Sequence, residues 1–146
     1  MGFYYREGVK LEKTLLIIKP DAVQRNLIGE IIRRAERARF KVVNIRYLRM
    51  AKEVAEDFYQ VHKGKPFYDE LCNYMSSGAI VPMVLEGENA VSGVRELIGK
   101  TNPIEAHPGT VRYDLAVSLT KNSVHASDSP ANAVREIKFF FPREDV

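Results

Sequence analysis

The chain of 146 residues has a single cysteine, Cys72, so no intrachain disulfide can staple it. Cys72 lies in a helical-looking segment and reads as a buried, inert thiol. No apolar run approaches the roughly 20 residues of a membrane span. The first residues, Met1-Gly-Phe-Tyr-Tyr-Arg-Glu7, lack the apolar core of a secretory signal. Repeats and low-complexity tracts are missing too. These absences argue against a disulfide scaffold, a membrane helix and a solenoid, and they point to a cytoplasmic protein. There is no basic stripe either. The net charge of +3 suits anionic ligands, but the basic residues are scattered. Lys63-Gly64-Lys65 is the tight cluster, in an obvious turn, and reads as a solvated face. Nucleic acid is therefore not expected as the main partner. A P-loop is also lacking. Ile98-Gly99-Lys100-Thr101 looks like the end of one, but Gly93 and Gly99 are separated by five residues where the motif needs about four. The preceding segment is helix-like where a strand is required, and a proline loop follows where a helix is required.

What is present is an ordinary soluble composition, 45% hydrophobic and 28% charged, in a chain long enough for one domain with its own core. Thr14–Ile18 reads as a buried strand, Lys41–Met50 as a second, Ile80–Leu85 as a third and Leu115–Leu119 as a fourth. Pro82 suggests that the third is an edge strand or carries an irregularity. Helix faces are spaced at Ile28, Ile31, Ile32 and Ala35, at Val54, Phe58 and Val61, at Phe67, Leu71 and Met75, and at Val91, Val94, Leu97 and Ile98. The last helix is expected over Pro130–Phe139. Residues 100–113, dense in Pro, Gly, Thr and Asn, form a long loop of the kind that usually carries function. The alternation of strands and helices by itself suggests a doubly wound parallel sheet.

The most informative stretch is Asn122-Ser-Val-His125-Ala-Ser-Asp128-Ser129, followed by Pro130. Ser129 suits the N-cap and Pro130 the first helical position. His125 thus lies just upstream of a helix N-terminus, a setting that favours phosphate. An imidazole there can attack phosphorus and carry it. Taken alone, a histidine in such a turn is more often an ordinary loop residue. Arg95 and Arg112 offer planar donor forks for phosphate oxygens, or are plain surface arginines. Lys19 ends a buried strand, where an ammonium must snorkel or meet a counter-charge. Phe67, by its spacing to Leu71, reads as helix core. His62 and His107 read as surface residues.

The histidine segment closely resembles the active-site signature of the nucleoside diphosphate kinases. Lys19-Pro-Asp-Ala-Val-Gln-Arg25, Arg95, Thr101-Asn-Pro103, Pro108-Gly109-Thr110, Arg112 and Glu136 recur in that family's order and spacing. The likeness runs from about Glu12 to Pro142, and two unrelated signatures would have to coincide to produce it by chance. Residues 1–11 precede it as an N-terminal extension (an oligomer contact, a flexible lead or a cloning remnant), and residues 12–146 form the kinase domain. The resemblance implies an α+β, ferredoxin-like, four-stranded antiparallel sheet of βαββαβ type. It further implies helices on one face and an extra helical hairpin between the second and third strands.

It also implies roles. His125 takes the terminal phosphate of a nucleoside triphosphate on Nδ1 and passes it to a nucleoside diphosphate, in ping-pong order. Glu136 orients the imidazole, with Tyr59 beside it and Ser127 in the supporting shell. Lys19 contacts the ribose hydroxyls and the travelling phosphate, and Asn122 holds the ribose 3′-hydroxyl, which assists the leaving oxygen. Arg95, Thr101 and Arg112 bind phosphates. Phe67 stacks on the base, with Leu71 and Leu119 in the same pocket. Mg²⁺ arrives on the nucleotide with Asp128 nearby, since no dedicated carboxylate cage is visible. A homo-oligomer is expected, a hexamer ahead of a tetramer, with Pro103 in the loop that meets neighbouring subunits. Ala22 and Ala126 depart from the family's common glycines, which matters only if their φ is positive. A non-catalytic module of the same fold is the rival reading, and an added protein-histidine kinase role is a third.

Overall fold

The computed structural model describes residues 11–146. One antiparallel sheet holds β1 (Leu11–Ile18), β2 (Lys41–Ile45), β3 (Val81–Glu88) and β4 (Val124–Ala126) in the spatial order β2-β3-β1-β4. The α-helices are α1 (Pro20–Gln24), α2 (Ile28–Arg37), α3 (Lys52–Phe58), α4 (Tyr68–Met75), α5 (Ala90–Ile98), α6 (Val111–Leu115) and α7 (Pro130–Phe140). With α2 and α5 as the crossovers, this is the ferredoxin-like βαββαβ arrangement, and α3 and α4 form the hairpin inserted between β2 and β3. Of the N-terminal extension, residues 1–10 lie outside the described residues, and Leu11 already belongs to β1.

The alternation that suggested a parallel sheet misleads for a physical reason. Leu16 and Ile18 of β1 join Met83 and Leu85 in a core with Ile31, Ala35, Val94 and Ile98 from α2 and α5. Their neighbours Leu15 and Ile17 join Val84 in a second core with Phe58, Met75 and Ile137 from α3, α4 and α7. The helices are therefore not confined to one face: α2 and α5 hold one, and the hairpin with α7 covers the other. Strands buried on both faces read as unbroken apolar runs, a pattern more often seen in parallel sheets.

Several local expectations change. The third strand is central, so Pro82 does not mark an edge. It marks an irregularity. Pro82 O accepts from Arg46 N at 3.0 Å, but Pro82 has no N–H to return, and β2 ends at Ile45. The fourth strand is not Leu115–Leu119. Leu115 closes α6, Val117 and Leu119 are exposed, and β4 is a three-residue strand further on. The long loop holds a 3₁₀ turn at Pro103–Glu105 and ends in α6, whose N-cap Thr110 accepts from Tyr113 N at 3.3 Å. Of Val54, Phe58 and Val61, only Phe58 is buried; Val61 falls in the 3₁₀ turn Gln60–His62. The expected N-cap of α7 forms, Ser129 Oγ accepting from Asn132 N at 3.1 Å.

Candidate active site

The ends of β1 and β4 meet beside α7. Ser123, just before β4, has φ 76°, an uncommon left-handed conformation for a residue with a Cβ. Its carbonyl accepts from Lys19 N at 2.9 Å, which ties the end of β1 to the approach of β4. His125 then occupies the middle of β4, opposite Ile17. Neither Ala22 nor Ala126 is among the positive-φ residues, so the two glycine departures carry no backbone strain.

His125 lines an open cavity of about 510 Å³. Its Nε2 lies 2.9 Å from Glu136 Oε1, and the same oxygen accepts from Ser127 Oγ at 2.8 Å. Arg135 Nη2 stands 3.5 Å from the other carboxylate oxygen. Burial works to raise the Glu136 pKa, but the hydrogen bond and charge of His125, then Ser127 and Arg135, outweigh it and hold the carboxylate below its usual value. An anionic Glu136 accepts the proton on Nε2. Nδ1 is then left with a lone pair and no hydrogen-bond partner among the described residues. The rings of Phe58 and Tyr59 meet the imidazole edge-on at 5.6 and 5.9 Å and fix its plane. The Tyr59 hydroxyl has no partner among the described residues, and burial pushes its pKa up.

Cations line the opposite wall. Lys19, 6% exposed, donates from Nζ to Asn122 Oδ1 at 2.7 Å, and Asn122 Nδ2 donates to Thr101 O at 3.0 Å. Burial and the Arg112 charge lower the Lys19 pKa to about 7, against an opposing pull from Asp21. Arg112 is buried and donates to Gly99 O at 3.0 Å and to Val124 O at 2.9 Å. Burial, then Arg95, pushes its pKa down to about 10, so it stays charged at neutral pH. Gly99 (φ 86°) is required here, because a Cβ would come within 2.6 Å of Thr110 Oγ1. Gly93 lies inside α5, which excludes a phosphate-cradling loop between the two glycines. Arg95 reaches Ala126 O at 3.4 Å. Asp128, exposed at the rim, is kept below the usual carboxylate range by the 2.5 Å hydrogen bond from Asn132 and by Arg95.

At the outer end, Phe67 (46% exposed) and Leu119 (59% exposed) face the cavity, with the half-buried Leu71 between α4 and its wall. Phe67 is thus not helix core; it is the N-cap residue of α4. All the site residues expected from the sequence line this cavity except Ser127, which acts from behind through Glu136. The cavity-lining residues that the sequence did not indicate include Phe58, expected only on a helix face, and two further side chains. His62 is no ordinary surface residue: it lines the cavity with its ring 5.2 Å from Phe67, and Lys65 lies 3.1 Å from its Nδ1. Burial, then Lys65, lowers its pKa. Arg135 is the other; adjacency to Glu136 was the signal that could have found it. His107 is exposed and outside the cavity, as expected.

A basic, water-accessible cleft with a carboxylate-paired histidine in it, arginines and a lysine beside it and apolar side chains at its mouth has the chemistry to take a nucleotide with its phosphates inward. Comparison with known proteins points the same way. The family model for nucleoside diphosphate kinase matches residues 12–146. The chain is 57% identical over 131 residues to the nucleoside diphosphate kinase of Desulfatibacillum aliphaticivorans, covering 90% of this chain and 95% of that protein. It is 51% identical over 135 residues to that of Methanocaldococcus jannaschii, covering 92% and 96%. An orthorhombic crystal form of the Aquifex aeolicus nucleoside diphosphate kinase superposes with a TM-score of 0.89 at 42% identity, over 90% of this chain and 96% of that one. The apo enzyme of Encephalitozoon cuniculi gives 0.88 at 40%, over 92% and 93%. The chain belongs to the nucleoside diphosphate kinase family, enzymes that move the terminal phosphate of a nucleoside triphosphate to a nucleoside diphosphate by a ping-pong reaction through a phosphohistidine.

Proposed function

We propose that His125 is the phosphate carrier and that the residues around it divide the work as follows. Glu136, held anionic, fixes the Nε2–H tautomer and stabilises the imidazolium that forms as Nδ1 bonds to phosphorus. Lys19, Arg95, Arg112 and Thr101 neutralise and hold the phosphates, work that dominates phosphoryl transfer. Lys19 and Asn122, already hydrogen-bonded, receive the ribose hydroxyls, and the substrate's own 3′-hydroxyl assists the leaving oxygen. Phe67, Leu71 and Leu119 grip the base without reading its edge. Tyr59 and Ser127 support the imidazole and its carboxylate. The observation that carries this reading is the free Nδ1 of a histidine whose other nitrogen is claimed by a buried carboxylate.

The reaction uses a divalent cation. The residues fit Mg²⁺ that enters on the nucleotide. Among the described residues no group of three His, Cys, Asp or Glu side chains could hold a metal; of the three carboxylates that line the cavity, Glu136 is engaged by His125, and Asp128 and Glu70 are exposed. Asp128 would hold the ion with the nucleotide phosphates, and the ion would supply charge neutralisation there.

Residues 12–146, which the family model matches, are the catalytic domain, and its first strand starts one residue earlier at Leu11. The protein works as a homo-oligomer, a hexamer ahead of a tetramer; Ile104 beside Pro103 is 89% exposed, and Val117 63%, surfaces better covered than solvated. A cytoplasmic location accords with helices none of which, among the described residues, is long and apolar enough to cross a membrane.

The test is incubation with γ-labelled ATP and no acceptor, followed by chase with a second diphosphate. Label should appear on His125, survive base, be lost in acid and move to the added diphosphate. Acid-stable label, or label that persists in His125→Ala, would overturn the mechanism.

A further inference from the structure

Arg135 touches both the hairpin and α7 inside the cavity, and none of these steps uses it. It lines the cavity from the second turn of α7, with its side chain 34% exposed. Nη1 donates to Phe58 O at 3.3 Å, and Nη2 lies 3.5 Å from Glu136 Oε2. The guanidinium carbon is also 5.9 Å from the centre of the Phe58 ring, within cation–π range. Phe58 is the last residue of α3, and the final carbonyls of a helix have no partner inside it. The last turn of α3 has no basic residue of its own, so a cation from α7 serves its negative end. The Phe58 ring meets His125 at 5.6 Å, and Tyr59, the next residue, meets it at 5.9 Å. Glu136 holds the same imidazole through Oε1, on which Ser127 also donates, and Oε2 is left to Arg135. One planar fork thus holds two of the groups that restrain the imidazole: the Phe58 ring beside it and the carboxylate on Nε2.

We propose that Arg135 is a positioning residue for phosphoryl transfer: by bridging Phe58 on the hairpin to Glu136 on α7, it keeps the hairpin and the carboxylate in one register around the imidazole of His125. Packing alone fixes that register poorly. Phe58 otherwise meets the end of α7 through the rings of Phe139 and Phe140, each at 5.1 Å, and ring contacts of mixed tilt lack the direction of a hydrogen bond. The precision matters, because a misplacement of about 1 Å at a reacting centre can cost roughly 10²-fold. The bridge needs an arginine. A guanidinium has donors fixed in a plane and can serve two acceptors at once, whereas an ammonium is a compact point charge. Charge is a separate matter: Arg135 is one of the groups that keep Glu136 ionised, and a lysine would serve there too. The proposal rests on the reading of His125 as carrier and Glu136 as its orienting partner.

The experiment is single-turnover phosphorylation of the enzyme by ATP, over a range of ATP concentrations, in wild type, Arg135→Met and Arg135→Lys. Methionine keeps an aliphatic stem over Phe58 and loses every donor. It should lower the rate at saturating ATP by about 10-fold, the worth of one charge-assisted hydrogen bond at a partly exposed site. The half-saturating concentration should stay close to wild type, since the bridge touches no part of the nucleotide. Arg135→Lys should recover little of the loss. Full recovery by lysine would reduce the role to charge and overturn the bridge. A raised half-saturating concentration at an unchanged rate would make Arg135 a nucleotide ligand and overturn it as well. Arg135→Gln gives the same reading if the methionine variant does not fold. ¹⁵N-histidine spectra of the nucleotide-free protein, with the His125 signals identified by His125→Gln, separate the bridge from the reading it rests on. Unmoved His125 signals in Arg135→Met overturn the bridge. Moved signals with an unchanged rate instead overturn the His125–Glu136 pair as the reacting centre and leave the bridge standing.

Discussion

Removing an ammonium from water costs several kcal/mol unless a partner compensates, and Lys19 is 6% exposed with Arg112 nearby. Its pKa of about 7 in the fold lies below the ordinary value of 10.5. Between those two values the unfolded chain binds more protons than the native one, so this residue makes stability rise with pH across that window. Its full cost is present below the lower value and gone above the upper. Each pH unit between them is worth about 1.4 kcal/mol. Lys19→Met should therefore abolish most activity and yet stabilise the nucleotide-free protein by roughly 2–4 kcal/mol near neutral pH, after loss of the Asn122 hydrogen bond. Thermal denaturation at several pH values checks this. The gain should shrink as pH rises toward that of a free lysine; a variant less stable than wild type at pH 7 would show that Lys19 is not strained by its site.

The hairpin of α3 and α4 carries Tyr59, His62, Phe67 and Leu71 to the cavity and presents Phe67 half-exposed at its mouth. An apolar slot discriminates between ligands only about 10- to 200-fold, whereas a hydrogen-bonding reader reaches several orders of magnitude. Catalytic efficiencies with ATP, GTP, CTP and UTP should thus agree within about two orders of magnitude. Phe67→Ala should weaken all four, purines more, by the roughly 1–3 kcal/mol that base stacking contributes. A preference above about a thousandfold would mean that a polar group reads the base. Helix α7 sets Glu136 against His125, and its start is fixed by Ser129. Ser129→Ala should cost about 1 kcal/mol and lower Tm by about 3 °C. Because α7 is also anchored by Ile137 and Phe140 in the core, phosphotransfer should fall less than tenfold, about what 1.4 kcal/mol would cause. A larger loss of activity at unchanged Tm would assign Ser129 a direct part in the chemistry.

For the whole molecule, exposed apolar residues outside the cavity occur at several places, among them Ile45, Tyr47 and Val134, and the most exposed of all, Ile104, lies in the segment after α5. Ile104, Tyr113 and Val117 are 89%, 48% and 63% exposed. Burial of such groups in an oligomer would gain roughly 25 cal/mol per Å² removed from water. Ile104→Asp should therefore lower the solution mass measured by light scattering and lower Tm, with the isolated subunit keeping its fold. An unchanged mass would exclude this segment as an interface.

The amino-acid order indicated the cavity's lining through its resemblance to a known family, not residue by residue. His125, Lys19, Asn122, Arg95, Thr101, Arg112, Phe67, Leu119, Tyr59 and Glu136 all line the cavity, although by spacing alone Phe67 read as helix core and the arginines read equally as surface residues. It determined the N-cap of α7 as well, since capping is a matter of a few adjacent residues. It left open where the fourth strand lies. Three residues give no periodicity, and exposed Val117 and Leu119 imitated a strand because their apolar surface serves purposes other than the core. Strand direction and the helices on both faces were beyond it too, because a doubly covered antiparallel strand and a parallel one present the same apolar run. Only the tertiary structure brought His62 beside Phe67 in the cavity, set Arg135 against Glu136 and placed Tyr74 on Asp21, 53 residues away in the chain. Those pairings depend on how the hairpin and α7 pack on the second face of the sheet, and a charge's influence on its neighbour falls with distance in space, not along the chain.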